Sequence, residues 1–103
     1  MGYRWRRKFC PGRPRKERII SEDQSFRRYI CEGSPTDNME IALYFDEMEA
    51  LKLVDLEGLS QEEAGKRMNI SRGTIWRLLE QGRRKIIDAL IKRKTITIKQ
   101  REE

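Results

Sequence analysis

Arg72, Gly73, Trp76 and Arg77 fall within six residues, at spacings that set them on one side of a helix. Two guanidinium groups, a position without a side chain and a large flat ring suit binding better than bond-making. Arginine can pair bidentately with a guanine edge or grip a phosphate. Glycine lets a backbone come close, and Trp76 can press on a thymine methyl or a sugar, or lie partly buried against the N-terminal arm. Ser71 and Thr74 add hydroxyls at the helix start, where free amides and the helix dipole favour a phosphate. Lys66, Arg67, Arg83, Arg84 and Lys85 are expected on the outside, holding phosphates without reading sequence. This is the contact set of a double-stranded DNA reader, with Arg72 and Arg77 at its centre.

Other chemistries find little to work with. The chain has no His and two Cys, Cys10 and Cys31, too few ligands for a self-contained zinc site. No nucleophile stands near a base and no glycine-rich phosphate loop is present. The carboxylates are accounted for by helix capping, so neither an enzyme nor a cofactor is expected. A Cys10–Cys31 disulfide is open, and free thiols in a reducing cytoplasm are favoured.

The elements that must position the set follow from local signals. Ser60 with Glu63 forms a capping box, with Leu59 and Ala64 as a hydrophobic staple, predicting a helix to about Met68. Asn69 tolerates the left-handed conformation that a tight turn needs. Ile70 points back to the core, and Ser71 caps a second helix from Arg72. Ile75, Leu78 and Leu79 give that helix an apolar face, and the period continues through Ile86 and Ala89 to about Ile91. Ala64 and Gly65 are small where the helices approach. Gly82 costs about 1 kcal/mol relative to alanine, so a bend is expected there. The arrangement is a helix-turn-helix, and the N-terminal end of its second helix is the part that enters a major groove.

A third helix, Asp46–Glu57, is expected to brace these two. Asp46 is its predicted cap, Glu49 completes a box, and Met48, Leu51 and Val54 make a stripe widened by Ala50 and Leu53. Gly58 reads as a left-handed terminator, with Leu59 folding back on Val54. Met39–Phe45 is apolar without a deciding period and is read as helix or an irregular lead-in. Thr95–Lys99 alternates and is β-branched, a strand signal. Its expected partner is Arg18–Ser21, in a two-stranded ribbon joining the chain ends; pairing across a dimer is the alternative. Phe26, Tyr29 and Ile30 are expected to anchor an irregular segment onto the domain. The fold class is therefore mainly α, a tri-helical helix-turn-helix domain over 36–103 with a basic arm and short strand over 1–35.

Charge is distributed to match. The 103 residues carry +6 overall with pI ≈ 9.6, which fits a polyanionic partner. Residues 1–33 have ten Lys/Arg against four Asp/Glu, 34–70 three against nine, and 71–103 ten against four. Basic ends flank an acidic middle. Within MGYRWRRKFCPGRPRK, aromatics alternate with cations, a pattern for phosphate contact with stacking. Gly12-Arg13-Pro14-Arg15 is similar to an AT-hook core, whose arginines enter the A·T minor groove. Pro11 stands where that motif has a base, and a non-selective basic tail is the competing reading. No apolar segment follows the basic start and none reaches membrane-spanning length, so a cytoplasmic location with no membrane partner is expected.

LVDLEGLSQEEAGKRMNISRGTIWRLLEQGRRKI resembles the helix-turn-helix of sigma factor region 4. The longer stretch from Asp46 to Leu90, with DLEGLSQEEA and SRGT, is similar to a family of small uncharacterised archaeal and bacterial proteins expected to bind DNA. The resemblance implies a region-4-like fold and a duplex ligand. It departs at Asn69, where glycine is usual, and at Gly82, where alanine is usual. A sequence-specific transcriptional regulator is the leading expectation. A sigma-like module meeting RNA polymerase through the acidic face Asp46–Glu63 and an RNA-binding protein are the alternatives, and a homodimer is left open.

Overall fold

A computed structural model of the chain describes residues 18–21, 24–33 and 39–102. The expectations for Arg13, Arg15 and Cys10 fall outside these residues. Three helices pack with a small sheet. Strand β1 is Arg27–Tyr29, β2 is Glu40–Tyr44 and helix α1 is Phe45–Leu51, running into a π-helical turn, Lys52–Leu56. Helix α2 is Gln61–Met68, α3 is Arg72–Lys92 and β3 is Thr95–Lys99. The sheet order is β1-β3-β2, with β1 antiparallel and β2 parallel to β3. The fold is thus mixed α/β, with more sheet than a two-stranded ribbon.

The caps around α2 and α3 formed as their residues dictate. Ser60 Oγ accepts from the Glu63 amide at 3.1 Å while Glu63 Oε1 accepts from the Ser60 amide at 3.0 Å. Asn69 takes the left-handed conformation, φ 61° and ψ 43°. Ser71 Oγ accepts from the Thr74 amide at 3.1 Å. Gly65 is required by the turn itself: a Cβ there would lie 2.7 Å from the Ile70 carbonyl oxygen. The two helices meet across Ala64, Met68, Ile75, Leu78 and Leu79, all buried, with Ala50, Leu51 and Leu53 of the α1 segment closing the core.

At the other end of α1, Gly58 has φ 83° and the Leu59 amide reaches back to the Leu53 carbonyl at 2.9 Å. That carbonyl is one residue further back than in an α-helical termination, because the last turn is widened to the π form.

Three local expectations are corrected. Met39–Phe45 does not lead in as helix: Glu40–Tyr44 pairs with all five residues of β3. The period was ambiguous, and tertiary pairing with a central strand resolved it. Thr95, Thr97 and Ile98 are all buried, so β3 needs neighbours on both edges. Arg18–Ser21 is not the ribbon partner, since the Ile19 amide is committed to the Met68 carbonyl at the end of α2, at 3.0 Å. Phe26, Tyr29 and Ile30 are not anchors; each is more than half exposed. The antiparallel partner of β3 is instead Arg27–Tyr29 within that segment.

Helix α1 also begins differently. Tyr44 at the end of β2 serves as its cap position, and Glu47, not Glu49, reaches back to accept from the Tyr44 amide at 3.0 Å. Asp46 lies inside the helix. No helix among the described residues is long and apolar enough to cross a membrane.

Candidate nucleic-acid interface

The start of α3 is bare. Ser71, Arg72, Gly73, Trp76 and Arg77 are exposed and Thr74 is half-buried. Trp76 keeps 52% of its surface accessible, a large value for an indole on a helix whose other face is fully packed. Among the described residues only Ser71 Oγ, at 3.9 Å, comes near a Cβ built on Gly73, so the backbone there can be approached closely. The Thr74 hydroxyl is hydrogen-bonded to that of Ser71 at 2.9 Å.

Electrostatics mark α3 as unlike the other helices. The first turn of α1 carries Asp46 and Glu47 and that of α2 carries Glu62 and Glu63, while the first turn of α3 has no acid. Its unpaired amides and the positive end of its dipole are therefore not offset by its own side chains. Lys66 and Arg67, exposed in the last turn of α2, stand across the corner. An open cleft at this corner is lined by Lys66, Arg72 and Thr74, together with Arg18 and the acidic Glu62.

Arg18 was missing from the expected set. It enters because the Ile19 amide ties the incoming chain to α2, while its Nη1 lies 2.5 Å from Asp46 Oδ2. The basic composition of residues 1–18 was the only sequence signal for it.

Further along α3 the expected positioning residues separate. Arg84 is exposed. Arg83 is exposed too but engaged, donating from Nε and Nη2 to the two Asp55 carboxylate oxygens at 3.0 and 2.6 Å. That hydrogen bond, over a small opposing effect of burial, holds the Asp55 carboxyl below its usual range. Lys85 is a correction. It points inward, with Nζ 2.8 and 3.0 Å from the two oxygens of Glu47, which is fully buried, and 4.5 Å from the Tyr44 ring centre. The 100° step between neighbours on a helix carries it round to the packed face.

The acidic middle of the chain divides, with Glu40, Asp55, Glu57, Glu62 and Glu63 exposed and the acids at the start of α1 internal. Asp46, Glu47 and Glu49 are all buried. Burial by itself would raise the Asp46 pKa, but hydrogen bonds and charge from Arg101 and Arg18 outweigh it and hold the carboxyl below its ordinary value. Arg101 donates to Asp46 at 2.8 and 3.0 Å. Glu49 accepts from Ser21 Oγ at 2.7 Å and from Gln24 Nε2 at 3.2 Å. These acids clasp Arg18, Ser21, Gln24 and Arg101 onto α1, while Asp55, Glu57, Glu62 and Glu63 of the same stretch stay exposed.

The chain is 44% identical over 98 residues to a UPF0251 protein of Pyrococcus furiosus, an alignment spanning 92% of this chain and 86% of the relative. A UPF0251 protein of Methanococcus maripaludis is 42% identical over 92 residues, spanning 88% and 71%. One of Prosthecochloris aestuarii is 43% identical over 88 residues, spanning 84% and 57%. No solved structure matches. A family model described as "Protein of unknown function DUF134" matches residues 6–103, and the chain belongs to that family.

Proposed function

We propose that this protein binds double-stranded DNA, with the N-terminal half of α3 as recognition helix in a helix-turn-helix of the sigma region 4 type, and acts as a transcriptional regulator. One observation carries the reading. A helix start with exposed Arg72, Trp76 and Arg77 and no acid in its first turn is held rigidly, through Asn69 and Met68, on a buried core. The mechanism is equilibrium binding. Arg72 and Arg77 meet base edges or groove phosphates, Gly73 permits close approach, and Lys66, Arg67 and Arg84 hold the duplex backbone. Arg83 joins them only by sharing its guanidinium with Asp55 or leaving it.

Fluorescence anisotropy on duplexes selected from a random library tests the proposal. Arg77→Ala is expected to cost about 1–3 kcal/mol on a selected site. Arg84→Ala weakens all duplexes alike and lowers the salt slope by about one unit. Binding that is unchanged by Arg77→Ala across the library removes α3 as the reading element. Tighter binding to structured RNA at the same salt replaces the ligand.

A further inference from the structure

Strand β1 lies at one edge of the sheet, pairing on one side with β3 and, among the described residues, with nothing on the other. An unpaired edge is a template for another strand, and proteins usually blunt it with free charge, proline or a bulge. Here the segment Phe26–Ile30 contains no proline. Its two charges are already turned elsewhere. Arg27 Nε donates to the Tyr29 hydroxyl at 3.1 Å, and Arg28 Nε lies 3.6 Å from Glu40 Oε2. Meanwhile Phe26, Tyr29 and Ile30 are 64%, 54% and 64% exposed, apolar surface that the fold does not use.

The order of these residues is self-complementary. If two copies align antiparallel about Arg28, Phe26 of each faces Ile30 of the other, and Arg27 of each faces Tyr29 of the other. The first is an apolar cross-strand pair and the second places a guanidinium against an aromatic ring, both favourable in antiparallel ladders. Within one chain Arg27 already lies 6.0 Å from the Tyr29 ring centre, so the second ring adds to a contact the strand makes by itself. The one like-charged pair, Arg28 against Arg28 on the axis, is flanked by Glu40 from each copy. A shift by one residue in either direction replaces both pairs and turns one sheet over relative to the other, so the helices of the two copies no longer lie on one face.

We propose that the outer edge of β1 is a homodimer interface, joining two three-stranded sheets into one of six strands about a two-fold axis at Arg28. A closed two-fold pairing removes both β1 edges at once, as isologous contacts do. It also relates two α3 helices by symmetry, which suits a palindromic duplex, but the pairing stands whether or not α3 reads DNA.

The test is the mass of the full chain in solution without nucleic acid, by light scattering and sedimentation. The expected wild-type mass is twice the 12.4 kDa of one chain. Phe26→Asp raises the dimer dissociation constant by roughly tenfold or more, with an unchanged far-UV circular dichroism spectrum because Phe26 is exposed. Phe26→Asp combined with Ile30→Lys sets a carboxylate opposite an ammonium at both ends and restores the dimer. In a Cys10→Ser/Cys31→Ser background, Arg28→Cys cross-links to itself under mild oxidation, whereas Ile87→Cys, on α3, does not. A wild-type monomer at high micromolar concentration overturns the proposal. So does a dimer indifferent to Phe26→Asp, or one cross-linked at Ile87→Cys and not at Arg28→Cys. None of these results bears on duplex binding by a monomer.

Discussion

Lys85 Nζ lies 2.8 Å from Oε1 and 3.0 Å from Oε2 of Glu47, a side chain with no solvent exposure. The pair joins the middle of α3 to the first turn of α1. Glu47 also accepts from the Tyr44 amide, so one carboxylate fixes the exit of β2, the start of α1 and the position of α3. Lys85→Met leaves that buried carboxylate with Arg101 Nη2, 3.7 Å from Oε2, as its remaining cation. The expected cost is about 3 kcal/mol, the lower end of the range for a broken buried pair because Arg101 offsets part of the charge, read from urea denaturation at pH 7. Arg84→Met, one residue earlier and exposed, is expected to change stability by less than about 0.5 kcal/mol.

The two glycines of α3 should answer alanine with opposite signs. Gly73 faces open space, so Gly73→Ala gains helix propensity, up to about 1 kcal/mol. A Cβ on Gly82 would lie 2.8 Å from Leu51 Cδ1 and 3.3 Å from Leu51 Cγ. Overpacking there costs about 1–3 kcal/mol, more than the propensity returns. Thermal melts of the two variants are expected to move in opposite directions. Glycine at 82 is thus explained by the close approach of α1 to α3, and α3 runs unbroken through it to Lys92.

Asp46 gives the protein an acid-sensitive clasp. Its pKa is lowered from the ordinary 3.8 because Arg101 and Arg18 outweigh its burial. A group depressed in the folded state contributes stability above its unfolded pKa and loses it as pH falls through the folded one. The stability difference between wild type and Arg101→Ala is therefore expected to be full at pH 7, to shrink below about 3.8, and to fall to what the Tyr44 ring, 4.5 Å from the Arg101 guanidinium, contributes once the folded carboxyl protonates. Paired urea titrations across that range measure it. A difference that persists unchanged at the acid end assigns the Arg101 contribution to packing instead.

Asp55 restrains Arg83 through two hydrogen bonds, in a pair whose side chains are 42% and 51% exposed. Exposed pairs of this kind contribute about 1 kcal/mol or less. Asp55→Asn should therefore leave the melt nearly unchanged while freeing the guanidinium and removing a negative charge beside α3. On the proposed function, duplex affinity at low salt rises several-fold and the salt slope steepens. Weaker binding would mean that Asp55 holds Arg83 in its binding position.

Elements set by neighbours in the chain were legible without coordinates. Ser60 and Glu63, Asn69, Ser71 and Gly58 each act within a few residues of themselves, through a cap, a left-handed backbone or a terminating turn. They define α2, its corner and the start of α3, and with them the exposed positions at 72, 73, 76 and 77. Features depending on partners far along the chain were not. Whether MEIALYF is helix or strand was settled by β3, more than fifty residues later. Whether Lys85 faced solvent or Glu47 depended on how α1 packs across α3. Hydrophobic period and capping chemistry are local quantities, so the sequence by itself determined α2, the start of α3 and the exposed head. The tertiary structure alone decided strand partners, the burial of Asp46 and Glu47, and which cations remain available, because those outcomes require opposite charges and open backbone edges from distant segments to meet.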